Sequence, residues 1–530
     1  MRDKDLLLGI DIGTTGTKCS VYDLNGKRVA SAYREYSMIH PRPGWTEQDP
    51  SRWWDAVCRN LQAIFTGQGI DKNRIAAVGT SSTNAVVLVD RQGQPVSNAI
   101  SLHDQRSGAQ VEWLKENIGE ERIRSLAANR IANGSFCLPA LRWLAENRTE
   151  LTREAYKLMV PCGYVIHKLT GEFTMNRSRM SLTLMADIRT GRWDTDIAEQ
   201  IGLRAELLPR PCSSTEIAGT VTEWAASVTG LAAGTPVTGG TIDTVAATIG
   251  AGAVEAGDFA LTIGSSGRLC SIGAQPMKDQ RLLNIYGAYD GQYVIVQSTN
   301  NACVSLRWFR DTFGKEAARE ALAAGCGIYT YLDRLAAAAP AGAGGLIWLP
   351  YLAGEQSPIW DTRARGVFYG AGLESDYQAF VRAVLEGVAF SQRHCMEVVL
   401  DQSDGPDIIP LGGGAANSPL WCQIFADVLG IPVARLRSNE TETLGDIIIA
   451  AQAAGIPEIP PDFGKVLAAD GEVFWPDAVR ASVYDGQYRI YRELYQALKP
   501  VFAGRTDRWG REEPDSSKRQ QTQDTAGGTE

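Results

Sequence analysis

Three glycine-rich turns and two aspartates in this chain have the residue types and spacing for phosphate chemistry. The first turn lies in Asp11-Ile12-Gly13-Thr14-Thr15-Gly16-Thr17-Lys18. Glycine lets a backbone approach an anion closely, and successive N–H groups form an anion-binding nest. The Thr14 and Thr15 hydroxyls add donors, and Lys18 adds a cation. The spacing is not that of a Walker loop, because Thr17 separates Gly16 from Lys18. It also lacks the leading glycine of a dinucleotide fingerprint. An acid beside such a nest makes sense when a divalent cation lies between carboxylate and phosphate, so Asp11 is the metal candidate.

The second turn repeats the first. Ile263-Gly264-Ser265-Ser266-Gly267-Arg268-Leu269-Cys270-Ser271-Ile272 has the layout of Ile12 to Val21: an apolar residue, Gly-hydroxyl-hydroxyl-Gly, a nearby base, then Cys-Ser and a β-branched residue. It begins almost midway along the chain, where a duplicated half would place it. Two such turns facing each other could hold a polyphosphate from both sides, with Gly264 and Ser265 answering Thr14 and Thr15. The second aspartate, Asp243, follows Gly239-Gly240 and opens a helical pattern. A carboxylate is favoured at a helix start, and an aspartate there can serve as the base for an alcohol nucleophile in phosphoryl transfer. The third turn, Gly412-Gly413-Gly414, removes side chains from a strand-to-helix corner and opens a flat slot for a planar base.

Short elements must hold these groups. Leu6–Ile10 reads as a buried strand, Lys18–Tyr22 and Arg28–Tyr33 as two more, and Asn25-Gly26 as a hairpin turn. Phe259–Ile263 is the matching strand before the second turn. Ser418-Pro419 is an N-cap and first-turn pair for a helix through Leu429.

At 530 residues the chain exceeds one hydrophobic core, so two or more domains are expected. A net charge of −9 argues against a nucleic-acid or anionic-membrane partner. The ten cysteines show no Cys-x-x-Cys spacing and the four histidines are far apart, which argues against zinc and a disulfide framework. The opening apolar run is broken by Asp11 and is too short for a signal peptide or a membrane span. A cytoplasmic protein is the expectation. The tail from Gly504 is polar and is expected to be disordered.

Taken in chain order, these segments resemble the FGGY family of carbohydrate kinases. Asp11-x-Gly13-Thr14 and Gly264-Ser265-Ser266-Gly267 are similar to its two phosphate motifs, Gly240-x-x-Asp243 to its catalytic motif, and Gly412–Trp421 to its adenosine motif. Trp45–Pro50, Tyr351-x-x-Gly354-Glu355-x-x-Pro358 and Arg382-x-x-x-Glu386-Gly387 also match family segments. The resemblance implies an α/β fold of two actin-like (ribonuclease H-like) domains, with ATP and sugar in the cleft between them. It places residues 1–255 in a sugar-binding domain with the base and 256–503 in an adenosine-binding domain.

The resemblance also assigns roles. Asp243 is the base and Asp11 holds Mg2+. Thr14, Thr15, Lys18, Gly264 and Ser265 meet phosphate, and Gly413, Gly414 and Asn417 frame adenosine. Thr83, Asn84, Asp104, Trp45 and Glu47 lie near the sugar. A homodimer is compatible with it. Ser81-Ser82-Thr83-Asn84 stands where xylulose kinases carry Gln-Met-His-Gly and glycerol kinases an Arg-Glu pair. Short neutral hydrogen-bonders with one carboxylate suggest a neutral pocket, hence a ketopentose such as xylulose, with gluconate or a tetritol as the alternative. The reading from another class is an actin-like ATP-binding scaffold without sugar phosphorylation.

Overall fold

The computed structural model describes residues 4–437, 440–469 and 471–504. The polar tail from residue 505 lies outside the described residues.

Two seven-stranded sheets carry the molecule. The first uses β1 (Leu6–Ile12), β2 (Gly16–Asp23), β3 (Arg28–Glu35), β4 (Ile75–Ser82), β5 (Ile217–Thr220), β6 (Pro236–Thr238) and β7 (Thr241–Ile242). Its order is β5-β6-β4-β1-β2-β3, with β7 also beside β4. The second uses β8 (Phe259–Ile263), β9 (Gly267–Gly273), β10 (Leu283–Tyr286), β11 (Tyr293–Thr299), β12 (Ile409–Gly412), β13 (Val433–Arg435) and β14 (Val473–Phe474). Its order is β10-β11-β9-β8-β12-β13-β14.

The duplication predicted from two short motifs extends to topology. In each sheet the strand before the turn pairs antiparallel with the strand after it and parallel with a later strand: β1 with β2 and β4, β8 with β9 and β12. β1 is apolar except at Gly9 and Asp11 and is buried on both faces, as a strand with a parallel neighbour requires. The turn after β2 carries Gly26 at φ 73°, the left-handed region that the Asn-Gly pair supplies.

Five helices matter for the site: α1 (Arg177–Thr183), α2 (Asp243–Gly250), α3 (Tyr377–Leu400), α4 (Pro419–Leu429) and α5 (Thr441–Ala453). α4 begins as expected, with the Ser418 hydroxyl accepting from the Trp421 N–H and Pro419 in the first turn. α3 is buried along most of its length and centres the second core. α5 follows the second sheet in sequence but packs on the first, against β1, β4 and α2. Glycine makes that approach possible. A Cβ at Gly79 would lie 2.0 Å from the Asp446 carbonyl, and one at Gly445 would lie 1.9 Å from the Ala246 carbonyl. The start of α5 is thereby brought beside the ends of β1 and β4.

Candidate active site

The C-terminal ends of β1, β4 and β7 converge. Asp11 is in register with Ser81, and Thr241 is in register with the same serine. Beyond these ends follow Thr83, Asn84 and Asp243, at the edge of the sheet where open α/β sheets bind ligands. Asp243 is the first residue of α2, and its Oδ1 accepts from the Thr244 N–H at 2.6 Å and the Thr244 hydroxyl at 3.1 Å. Its other oxygen has no protein partner among the described residues. Gly240, at φ 76°, makes the preceding elbow tight, since a Cβ there would meet Thr80 Oγ1 at 2.7 Å.

Acids crowd this point. The Ser81 hydroxyl lies 3.1 Å from Asp11 Oδ1 and 3.1 Å from Asp446 Oδ2, the latter on α5. One hydroxyl has one proton to donate, so one of these contacts needs a proton from a carboxylic acid. Asp446 is fully buried, and burial followed by the charge of Asp11 holds its carboxyl well above the usual range. Asp11 is raised as well, by burial first and then by the charges of Glu442 and Asp243. Glu442 is raised by burial and by Asp243. A divalent cation beside Asp11 would relieve this repulsion. Among the described residues no three His, Cys, Asp or Glu side chains form a metal cage.

Two cavities border the glycine-rich turns. One, of about 300 Å³, is walled by residues from both halves, among them Thr14, Thr83, Asn84, Asp243, Ser266 and Arg268. Both glycine-rich turns therefore face one space. The other, of about 390 Å³, lies on the second half and includes Gly264, Ser265, Gly414, Asn417 and Trp421. Gly413 lies beneath it at φ 84°, its α-carbon pressed on β8: a Cβ would sit 2.6 Å from the Ile263 carbonyl. Thr14 donates to or accepts from Thr83 at 3.0 Å across the first cavity's wall, while Thr15 is exposed. Lys18 lines neither cavity, and its ammonium pairs with Glu440 Oε1 at 3.2 Å.

Trp45, Glu47 and Asp104 gather elsewhere, around Arg106. The Arg106 guanidinium donates to Asp104 at 2.8 Å and Glu47 at 2.8 Å, and it stacks on the Trp45 ring at 3.8 Å. Asp104 also accepts from the Thr46 N–H at 2.6 Å. Its carboxylate is thus paired with Arg106 and Thr46, and Asp104 is not among the residues that line the cavity. The Asn84 amide is similarly committed, donating to the carbonyls of Gly134 and Ser135. Breaking a buried ion pair by removing one partner costs about 3–5 kcal/mol. Asp104→Ala is therefore expected to lower the melting temperature of the ligand-free chain by several degrees. A variant that melts like the wild type and shows only a raised KM would instead assign Asp104 to the substrate.

The cavity is also less neutral than the segment Ser81–Asn84 suggested. Arg179, Arg268 and His103 join its wall. Burial lowers the His103 pKa, which disfavours its charged form. Arg179, Asp446 and Glu442 were not singled out in the sequence. They belong to no motif considered there, and α1 and α5 reach the site only through the fold.

A cleft between two halves of like topology, with a nucleotide-sized cavity on one and an acid-bearing polar cavity shared by both, defines a phosphotransferase for small hydroxylated acceptors. The chain belongs to the FGGY family of carbohydrate kinases: residues 6–250 match the model of the family's N-terminal domain and residues 259–454 that of its C-terminal domain. It is 28% identical over 501 residues to the xylulose kinase of Bacillus subtilis (strain 168), covering 93% of this chain and 97% of that protein. It is 30% identical over 452 residues to the gluconokinase of the same organism, covering 85% and 88%. The crystal structure of xylulose kinase from Rhodospirillum rubrum superposes with a TM-score of 0.85 at 31% identity, covering 94% of this chain and 100% of that one. The actin-like two-domain fold and ATP-dependent phosphorylation of a carbohydrate hydroxyl follow from this membership. No helix among the described residues is long and apolar enough to cross a membrane.

Proposed function

We propose that the chain transfers the γ-phosphate of Mg·ATP to a hydroxyl of a five- or six-carbon sugar held in the shared cavity, with Asp243 as the base. The observation that carries this reading is that Asp243, Thr14 and Ser266 wall one cavity. A hydroxyl placed there meets a carboxylate oxygen without a protein partner on one side and two phosphate-binding turns on the other. Asp243 orients the hydroxyl and takes its proton late, as phosphoryl transfer requires. Thr14 and Ser266 hold phosphate oxygens from opposite domains, and Arg268 supplies positive charge where the transferred group becomes most negative. Asn417 and the Gly413–Gly414 turn bound the slot for adenine.

Asp11 would hold Mg2+, which when bound neutralises phosphate charge and aligns the terminal phosphate. A cytoplasmic location follows from the need for ATP. The relatives are named for a neutral ketose and for a sugar acid, so family membership leaves the charge of the acceptor open.

The test is ADP release with ATP, Mg2+ and a panel of ketopentoses, alditols and aldonates, with the phosphate ester identified by mass. One acceptor is expected to raise ADP release far above the sugar-free rate and to gain a single phosphoryl group. ATP hydrolysis unchanged by every acceptor would instead support the scaffold reading.

A further inference from the structure

We propose that the acceptor is read from the second half, by the side-chain amides of Gln356 and Asn300, with Glu355 as the residue that positions both. The inference rests on the kinase reading above. Asn300 follows β11, and Gln356 lies in the segment from Tyr351 to Pro358; both line the shared cavity. Glu355 is buried. Its Oε1 accepts from the Asn300 N–H at 2.6 Å and from the Gln356 N–H at 2.8 Å. One carboxyl oxygen thus fixes the backbone of both residues. Gln356 is exposed, and its side-chain amide has no hydrogen-bond partner among the described residues. Asn300 is half-buried. Its amide nitrogen reaches the Gly354 carbonyl only at 3.4 Å, and its side-chain oxygen has no partner among the described residues.

Sugar hydroxyls both donate and accept, and a primary amide does the same. Three side-chain amides line the cavity: Asn84, Asn300 and Gln356. Asn84, from the first half, is already committed. Its nitrogen donates to the Gly134 and Ser135 carbonyls, and its oxygen accepts from the Cys137 thiol at 3.5 Å. The Thr14 and Thr83 hydroxyls bond each other, and Asp243 is reserved for the reacting hydroxyl. The amides left for the other hydroxyls of the acceptor are those of the second half. A buried carboxyl is costly, and burial raises that of Glu355 to about 8. This carboxyl holds the two backbones that carry the free amides. At neutral pH it is mostly uncharged, so a glutamine oxygen can take its place as acceptor. The rival roles are a solvated loop residue for Gln356 and a loop staple for Glu355. Both would affect all acceptors alike.

The experiment uses the acceptor that the wild type prefers within the panel of ketopentoses, alditols and aldonates, together with its monodeoxy analogues. A hydrogen bond between neutral groups corresponds to roughly two- to tenfold. Gln356→Ala is expected to lower kcat/KM on the preferred acceptor by that factor, with the KM for ATP unchanged. On the one analogue that lacks the hydroxyl bound by Gln356, the same variant is expected to lose nothing further. Asn300→Ala is expected to behave in the same way with a different analogue. Glu355→Ala is expected to combine both losses. Glu355→Gln, which keeps an oxygen for the two N–H groups, is expected to restore the wild-type selectivity. A Gln356→Ala variant that is neutral on the preferred acceptor, or that loses equally on it and on every analogue, overturns the proposal. Gln356 is exposed, so this holds even where Glu355→Ala does not fold. Glu355→Gln as poor as Glu355→Ala overturns the positioning role. Absence of phosphorylation with every acceptor is a separate result, which removes the kinase reading together with this one.

Discussion

Asp243→Asn is expected to lower kcat by ~10²–10⁴, the range for loss of a general base, while leaving the KM for ATP close to the wild-type value. The substitution keeps the size of the side chain. Its oxygen can still accept from the Thr244 N–H and hydroxyl, so the start of α2 remains capped. What is lost is the second carboxylate oxygen, which has no protein partner among the described residues, on a residue that lines the shared cavity. In the proposed placement ATP phosphates would lie against the two glycine turns and adenine against Gly414 and Asn417, so nucleotide affinity has little reason to change. Steady-state kinetics with the preferred sugar is the measurement. Turnover within a few-fold of wild type would remove Asp243 from the chemistry and leave it as a helix-start residue.

Asp11→Asn is expected to act in two opposite directions. A carboxylate that reaches a metal through water behaves as an outer-shell partner, and loss of such a partner costs about 10–100-fold in metal affinity or activity. The Mg2+ concentration for half-maximal rate should rise accordingly, while sugar binding persists. The ligand-free protein, however, should melt at a higher temperature. Burial and the charges of Glu442 and Asp243 raise the Asp11 carboxyl in the folded state. The ionised form is then disfavoured by folding. For a group raised in this way, stability present below its unfolded value of about 4 is lost as pH rises toward the folded value. At neutral pH the native charge is therefore a burden that a neutral amide removes. Melting with and without Mg2+ separates the two effects. Lower stability without ligand combined with an unchanged Mg2+ requirement would show that Asp11 serves the fold rather than the metal.

By itself the sequence determined the parts whose physics is local. The two Gly-hydroxyl-hydroxyl-Gly turns stand out because glycine spacing and a preceding apolar strand specify a tight turn whatever surrounds it. The structure puts both turns on one cavity. Asp243 is legible because a glycine elbow followed by a helical pattern fixes an acid at a helix start, and Ser418-Pro419 is legible for the same reason. The duplicated halves show in ten residues of each copy, because the strand order that follows each turn is set by the same hairpin.

The tertiary structure decided what the acids and bases face. Asp104 sits in a segment similar to a substrate motif, yet Arg106, two residues on, captures its carboxylate once Thr46 and Glu47 are folded against it. Asp446 meets Ser81 across 365 residues of sequence, through glycines that let α5 lie on the first sheet. Arg179 meets Ser82 across 97 residues. No periodicity or spacing encodes such pairs, because a side chain's charge partners depend on which distant backbones come into contact. The short polar residues Ser82, Thr83 and Asn84 suggested a neutral pocket. The fold adds Arg179, from a helix nearly a hundred residues away, and Arg268, from the second half, to the residues around that pocket.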